Sequence, residues 1–187
     1  MRPNSRLEGL LLFFHHAALA LALGPALFFG AVVAPAVFRV LPTRDTAASL
    51  VSPVLSGACL LAEIAFGVLF VTSLFLTRDG VPRLTRSLLT RLPIAGFFAA
   101  LVIRELLIPP MDRIRAEAPG LIDNLPAADP SRLLLDRYHR LSTGFFGALV
   151  AVALVLLVLT SRLVSIRRGL PAPGAARPPV PKLLDLS

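Results

Sequence analysis

The sequence predicts an all-α integral membrane protein: a four-helix bundle, antiparallel and up-down, with an amphipathic lead-in to the last helix. Three observations carry this. Hydrophobic residues make up 56% of the 187-residue chain and charged residues only 16%, whereas a soluble domain carries about a quarter charged residues. Mean hydropathy is +0.78. The charges also gather between and beyond four apolar runs, each long enough for the ~20 residues that cross a bilayer.

The first run covers about 9–40. The 30 residues between Glu8 and Arg39 carry no charge. That exceeds one bilayer thickness at ~1.5 Å per residue, so tilt or kinking is expected, with Pro25 and Pro35 as kink points. A basic start (Arg2, Arg6) and small residues at Ala18, Ala20 and Ala22 give a signal-peptide alternative. The run is about twice the usual 7–15-residue apolar region of such a peptide, which favours a retained span.

The second run, about 48–77, is broken only by Glu63. The third, about 87–109, is the weakest, with 12 uncharged residues between Arg91 and Arg104. Both arginines are expected near its ends, snorkelling to the interfaces. Pro109 and Pro110 are expected to end it. The connection 110–140 then holds a helical piece, Met111 to Ala118, and a Pro119-Gly120 break. After Pro130, Ser131 can cap a new helix. Arg132, Asp136 and Arg140 stand at i,i+4 spacing as opposite-charge pairs. The fourth run, about 141–165, contains 21 uncharged residues between Arg140 and Arg162. The domain thus spans 9–168, after a short N-terminus (1–8) and before a Pro-rich tail, 169–187, expected to be disordered.

Four spans put both termini on one side. That side holds 11 Lys and Arg residues and the other 8, which favours cytoplasmic termini. Of the 19 basic residues only Lys182 is lysine, a bias that suggests a GC-rich bacterial genome and hence a bacterial inner (plasma) membrane. The net charge of +8 is then mostly a cytoplasmic face and not a nucleic-acid footprint. The expected partners are the lipid bilayer and a second copy of the chain as a homo-oligomer, with no nucleic acid.

Val32-Val33-Ala34-Pro35-Ala36-Val37-Phe38-Arg39-Val40-Leu41-Pro42 and Arg137-Tyr138-His139-Arg140-Leu141-Ser142 resemble two motifs of the transmembrane protein 205-like family, uncharacterised bacterial relatives included. The resemblance runs over about 9–165 and implies four helices. Arg140 stands where that pattern has Gly, and Phe146 where an Asn often stands. The family brings no assigned activity with it.

Glu63 is the sharpest functional candidate. An ionised carboxylate in mid-span costs several kcal/mol unless paired or protonated. Ser52, Ser56, Cys59, Glu63 and Gly67 fall on one helical stripe, so Glu63 is expected to face the bundle. It reads as a proton- or cation-binding carboxylate, or else as a protonated, hydrogen-bonded structural group.

His15 and His16 point about 100° apart on a helix. The stripe of His16 (Ala20, Gly24, Ala31) is slightly the smaller, so His16 is preferred as the inward candidate. Tyr138, His139 and Ser142 form a candidate outer-mouth motif, either an anion, headgroup or proton-access site or a packed helix start. His16 and His139 lie on the order of 25 Å apart along the bundle, which disfavours a haem held between them.

No catalytic triad signature, HExxH, P-loop or GxGxxG occurs, the one cysteine is Cys59, and the only methionines are Met1 and Met111. No enzyme, metal site or cofactor is therefore expected. Three readings remain: a non-enzymatic four-span protein of uncharacterised role, a small proton- or cation-coupled transporter using Glu63 and His16, and a membrane metal- or haem-handling protein. Gly24, Gly30, Gly67, Gly96, Ala100, Gly144, Gly147, Ala148 and Ala151 are expected at close helix contacts.

Overall fold

The computed structural model describes the backbone of residues 5–77 and 81–169, and the side chains of 6–77 and 81–164. The expected disordered tail lies outside the described residues, apart from Gly169 at a helix end. The described residues form helices and no strand. α1 (Ser5–Phe28) runs through a π-helical turn, Phe29–Val33, into α2 (Ala34–Val40). α3 is Arg44–Leu76. α4 (Arg83–Leu101) runs through a second π turn, Val102–Leu107, into α5 (Ile108–Glu117). α6 is Pro130–Gly169. Four continuous spans result, Arg6–Val40, Arg44–Leu76, Arg83–Glu117 and Pro130–Val164, each long and apolar enough to cross a membrane.

Both π turns end two residues before a proline, whereas Pro25, Pro53 and Pro93 stand in α-helix without one. Proline lacks the N–H that would bond four residues back. Pro35 follows the first turn, and Pro109 and Pro110 follow the second. In each turn the last free N–H reaches five residues back instead, Ala34 to the Phe29 carbonyl and Ile108 to the Ile103 carbonyl. The chain thereby absorbs one extra residue without stopping. Pro109 and Pro110 therefore do not end the third span; it continues to Glu117.

α3 starts on a Thr43 cap, whose side chain accepts from the Thr46 N–H at 3.1 Å. α6 starts on Asp129, not on Ser131: the Asp129 carboxylate accepts from the Ser131 N–H at 2.8 Å, with Pro130 as the first helical residue. Pro is favoured there because its missing N–H is one the helix start cannot use. Arg132 donates to the Leu125 carbonyl at 2.8 Å. Among the described residues, Asp136 forms no ion pair with Arg132 or Arg140.

The spans close a ring in the order α1, α3, α4, α6, with neighbours antiparallel. His15 meets Thr160 and the Phe29 ring meets Phe146, which fixes α1 against α6. Phe66, Leu69, Leu89, Ile103 and Leu156 fill the centre at no exposure. Outward positions are apolar as well, for example Phe13 at 64% and Leu106 at 61% exposed. Large side chains exposed along whole helices suit lipid, not water.

Gly96 is the tightest close approach. A Cβ there would stand 2.5 Å from the Phe66 ring. Gly30 faces Phe146 at 3.2 Å, and Ala100 is fully buried. Gly24, Gly67, Gly144 and Gly147 meet nothing within 4 Å, so their expected packing role is not seen within one chain. Gly144, Gly147, Ala148 and Ala151 instead form an exposed face of α6.

Candidate functional site

The small and polar stripe of α3 turns inward, and Glu63 on it is 6% exposed. Its partner is Arg104. The guanidinium Nε donates to Oε1 and Nη2 to Oε2, both at 2.8 Å. Arg104 therefore does not snorkel to an interface. It sits in the second π turn, directed at α3. Its third nitrogen pairs outward, Nη1 standing 2.6 Å from Glu105 Oε1.

The register places this cluster midway along the bundle. On α3, Thr72 is level with His15 near one end of the apolar layer, and Ser52 bonds Asp112 near the other. Glu63 lies between them, about 14 Å from the first and about 17 Å from the second at 1.5 Å per residue. One guanidinium thus serves two carboxylates, a buried one and an outward one (side-chain exposure 7% for Glu63, 51% for Glu105). With all three ionised, the cluster carries one negative charge in excess where hydrocarbon offers no counter-charge.

The histidines divide differently from the expectation. His15, at 1% exposure, is the inward one. His16 is exposed and donates from Nδ1 to the Leu12 carbonyl at 2.7 Å. Leu19, Ala22 and Ala26 of the His15 stripe are all buried with it. His15 Nδ1 is 2.8 Å from Thr72 Oγ1, and Nε2 is 2.9 Å from Thr160 Oγ1. The Thr72 hydroxyl gives its own proton to the Val68 carbonyl at 2.8 Å. It can then only accept from His15, so Nδ1 carries the proton and Thr160 donates to Nε2. Both ring nitrogens are engaged, and three spans are tied at one level. Ser73 Oγ, one residue on from Thr72, is buried with no partner among the described residues.

At the end opposite the termini, α5 and the 118–129 connection fold back on α3. Asp45 accepts from the Ile122 N–H at 2.6 Å, and Asp123 from the Arg44 N–H at 2.9 Å. This reciprocal capping holds the connection over two adjoining cavities, of about 470 and 280 Å³. His139 and Arg115 line both. Of the mouth motif, His139 is exposed, Ser142 is buried with its hydroxyl on the His139 carbonyl at 3.0 Å, and Tyr138 packs on the core. His139 and Ser142 thus share the smaller cavity while Tyr138 lines neither.

Sequence reasoning put Arg104 at an interface, ranked His15 just below His16 and did not single out Glu105. The available signal was chemical: Glu63 needs a cation, and the third span offers Arg104 one helix away. Among the described residues, no group of three or more His, Cys, Asp or Glu side chains could hold a metal ion.

A sequence model of the family described as a domain of unknown function, DUF4149, matches residues 17–120. That stretch covers the first span from residue 17 and all of the second and third, and includes Glu63, Arg104 and Glu105, but leaves out His15, His16, Tyr138 and His139. No curated protein and no solved structure matches the chain.

Proposed function

The chain belongs to the DUF4149 family, and we propose that this member is a non-enzymatic, proton-conducting transport protein acting as a homo-oligomer. We further assign it to a bacterial inner membrane with both termini in the cytoplasm, on the arginine excess of the terminal side and the Arg-rich composition. The motifs around Pro35 and Tyr138 also support a place among transmembrane protein 205-like proteins.

One observation carries the transport reading: Arg104 is shared in mid-span by buried Glu63 and outward Glu105. A proton on Glu105 takes the cluster from one excess negative charge to none. The neutral Arg104–Glu63 pair then remains inside the bundle. An exposed carboxylate at this depth is costly against lipid, so a neighbouring copy is its natural cover. The centre of a single bundle is filled by fully buried side chains, Phe66 and Ile103 among them, so the proton path runs along the outer surface of the third span between copies. His16, exposed on the rim, has no part in it. The metal- or haem-handling reading finds no support, since both nitrogens of the one buried histidine are held by threonines.

The test is decay of an imposed pH gradient in proteoliposomes with a trapped pH dye, with equal potassium on both sides and valinomycin to balance the charge moved. Wild type should dissipate the gradient, and Glu105→Gln should abolish this while keeping the fold. Equal decay for wild type and Glu105→Gln, or for wild type and empty vesicles, would overturn the proposal. Phosphatase fusions should be active within 118–129 and inactive at residue 187.

A further inference from the structure

The two cavities at the end opposite the termini differ in chemistry and join. The larger is walled by three arginines and three aspartates: Arg44, Arg115 and Arg132, with Asp45, Asp123 and Asp136. The smaller is mainly apolar, walled by Phe29, Leu55, Ile108, Met111 and Phe146. Arg115 and His139 stand at the junction. We propose that the pair is a binding site for one phospholipid with a zwitterionic head, its phosphate at Arg115, its ammonium at Asp136 and an acyl chain in the apolar cavity.

Four observations converge on this ligand. Arg115 Nη1 is held by Asp112 at 3.1 Å, but its Nε is buried with no acceptor among the described residues. The Arg115 side chain stays 19% exposed where it lines both cavities, so it is this open part of the guanidinium, not the buried Nε, that can meet an acceptor such as a phosphate oxygen. Asp136 lines the larger cavity and has no cationic partner among the described residues. The equal numbers of arginine and aspartate favour a dipolar head over one of net charge.

Location supplies the fourth. The uncharged run of α6 begins at Leu141, so His139 and the larger cavity stand at the headgroup level and the smaller cavity at the level of the upper chains. Exposed Gly30 and Thr143, on the first and last spans, rim the smaller cavity and give a lateral way in from the leaflet. Both volumes lie at or near the ~300–1,000 Å³ range of ligand sites.

Native mass spectrometry of the full chain in detergent, titrated with dioctanoyl phosphatidylethanolamine, tests the proposal. One lipid should bind per chain. Occupancy should fall at least tenfold in Arg115→Gln, which removes the donor. It should fall as far in Ala34→Phe, which fills the apolar arm and touches no charged group. Asp136→Asn should erase the preference for phosphatidylethanolamine over phosphatidylglycerol of the same chain length. Circular dichroism and a single elution peak establish that each variant folds; should Arg115→Gln not, Ala34→Phe decides. Unchanged occupancy in the folded variants overturns the site. Equal binding of dioctanoylglycerol overturns the phosphate assignment. Equal binding of glycerophosphoethanolamine, which has the head without the chains, overturns a bilayer lipid in favour of a soluble head group.

Discussion

Arg104 and Glu63 meet between the third and second spans as a two-pronged pair, with Nε on Oε1 and Nη2 on Oε2 at 2.8 Å each. Removing one partner of a buried pair strands the other, at a cost of about 3–5 kcal/mol, while replacing both by apolar groups is often neutral or better. Arg104→Met should therefore destabilise strongly, and Glu63→Leu likewise. The double variant should recover most of the loss. Unfolding titrations in detergent measure all three, and a double variant as unstable as the summed singles would refute a coupled pair.

The second π turn sets the direction of Arg104. Replacing Pro109 and Pro110 together by alanine restores the missing N–H groups and lets the turn relax to α-helix. Loss of the extra residue rotates α4 by about 100° relative to α5. The coupling between positions 63 and 104 should then fall to near zero in a double-mutant cycle. A coupling that survives in the Pro109→Ala/Pro110→Ala background would show that the turn does not aim the arginine.

His15 should be a single tautomer, with the proton on Nδ1. Long-range ¹H–¹⁵N correlation on histidine-labelled protein reads this directly. Thr160→Val leaves Nε2 buried without a donor, which costs about 1–3 kcal/mol. A proton found on Nε2, or a Thr160→Val variant as stable as wild type, would contradict the assigned network.

Gly96→Ala should overpack the core, because the Phe66 ring it meets is itself fully buried. The expected loss is about 1–3 kcal/mol. Gly96→Ala/Phe66→Leu should regain part of it. No loss in the single variant would mean that the ring has room to move.

The four spans were legible in the sequence because charge is so costly in hydrocarbon that its gaps mark the helices. The inward face of α3 was legible for a related reason: Ser52, Cys59 and Glu63 share one stripe, and polar groups avoid lipid. The site itself was only half legible. Arg104 lies close to Pro109, and prolines ordinarily end a helix, so it reads as a terminal residue. The π turn, which keeps the helix going, is a tertiary accommodation with no local signature beyond proline. His15 and His16 are neighbours on two stripes of similar size. The deciding partners, Thr72 and Thr160, come from distant parts of the chain.

Tyr138 is the chain's one tyrosine, and there is no tryptophan. It packs half-buried on the core, next in sequence to His139 at the junction of the two cavities. The native ultraviolet emission of this protein therefore comes from phenylalanine and a single phenol, and the phenol reports from the mouth alone. Without any label, its intensity follows that end of the bundle through titration, reconstitution and mutation, while the cluster midway along the bundle stays optically silent.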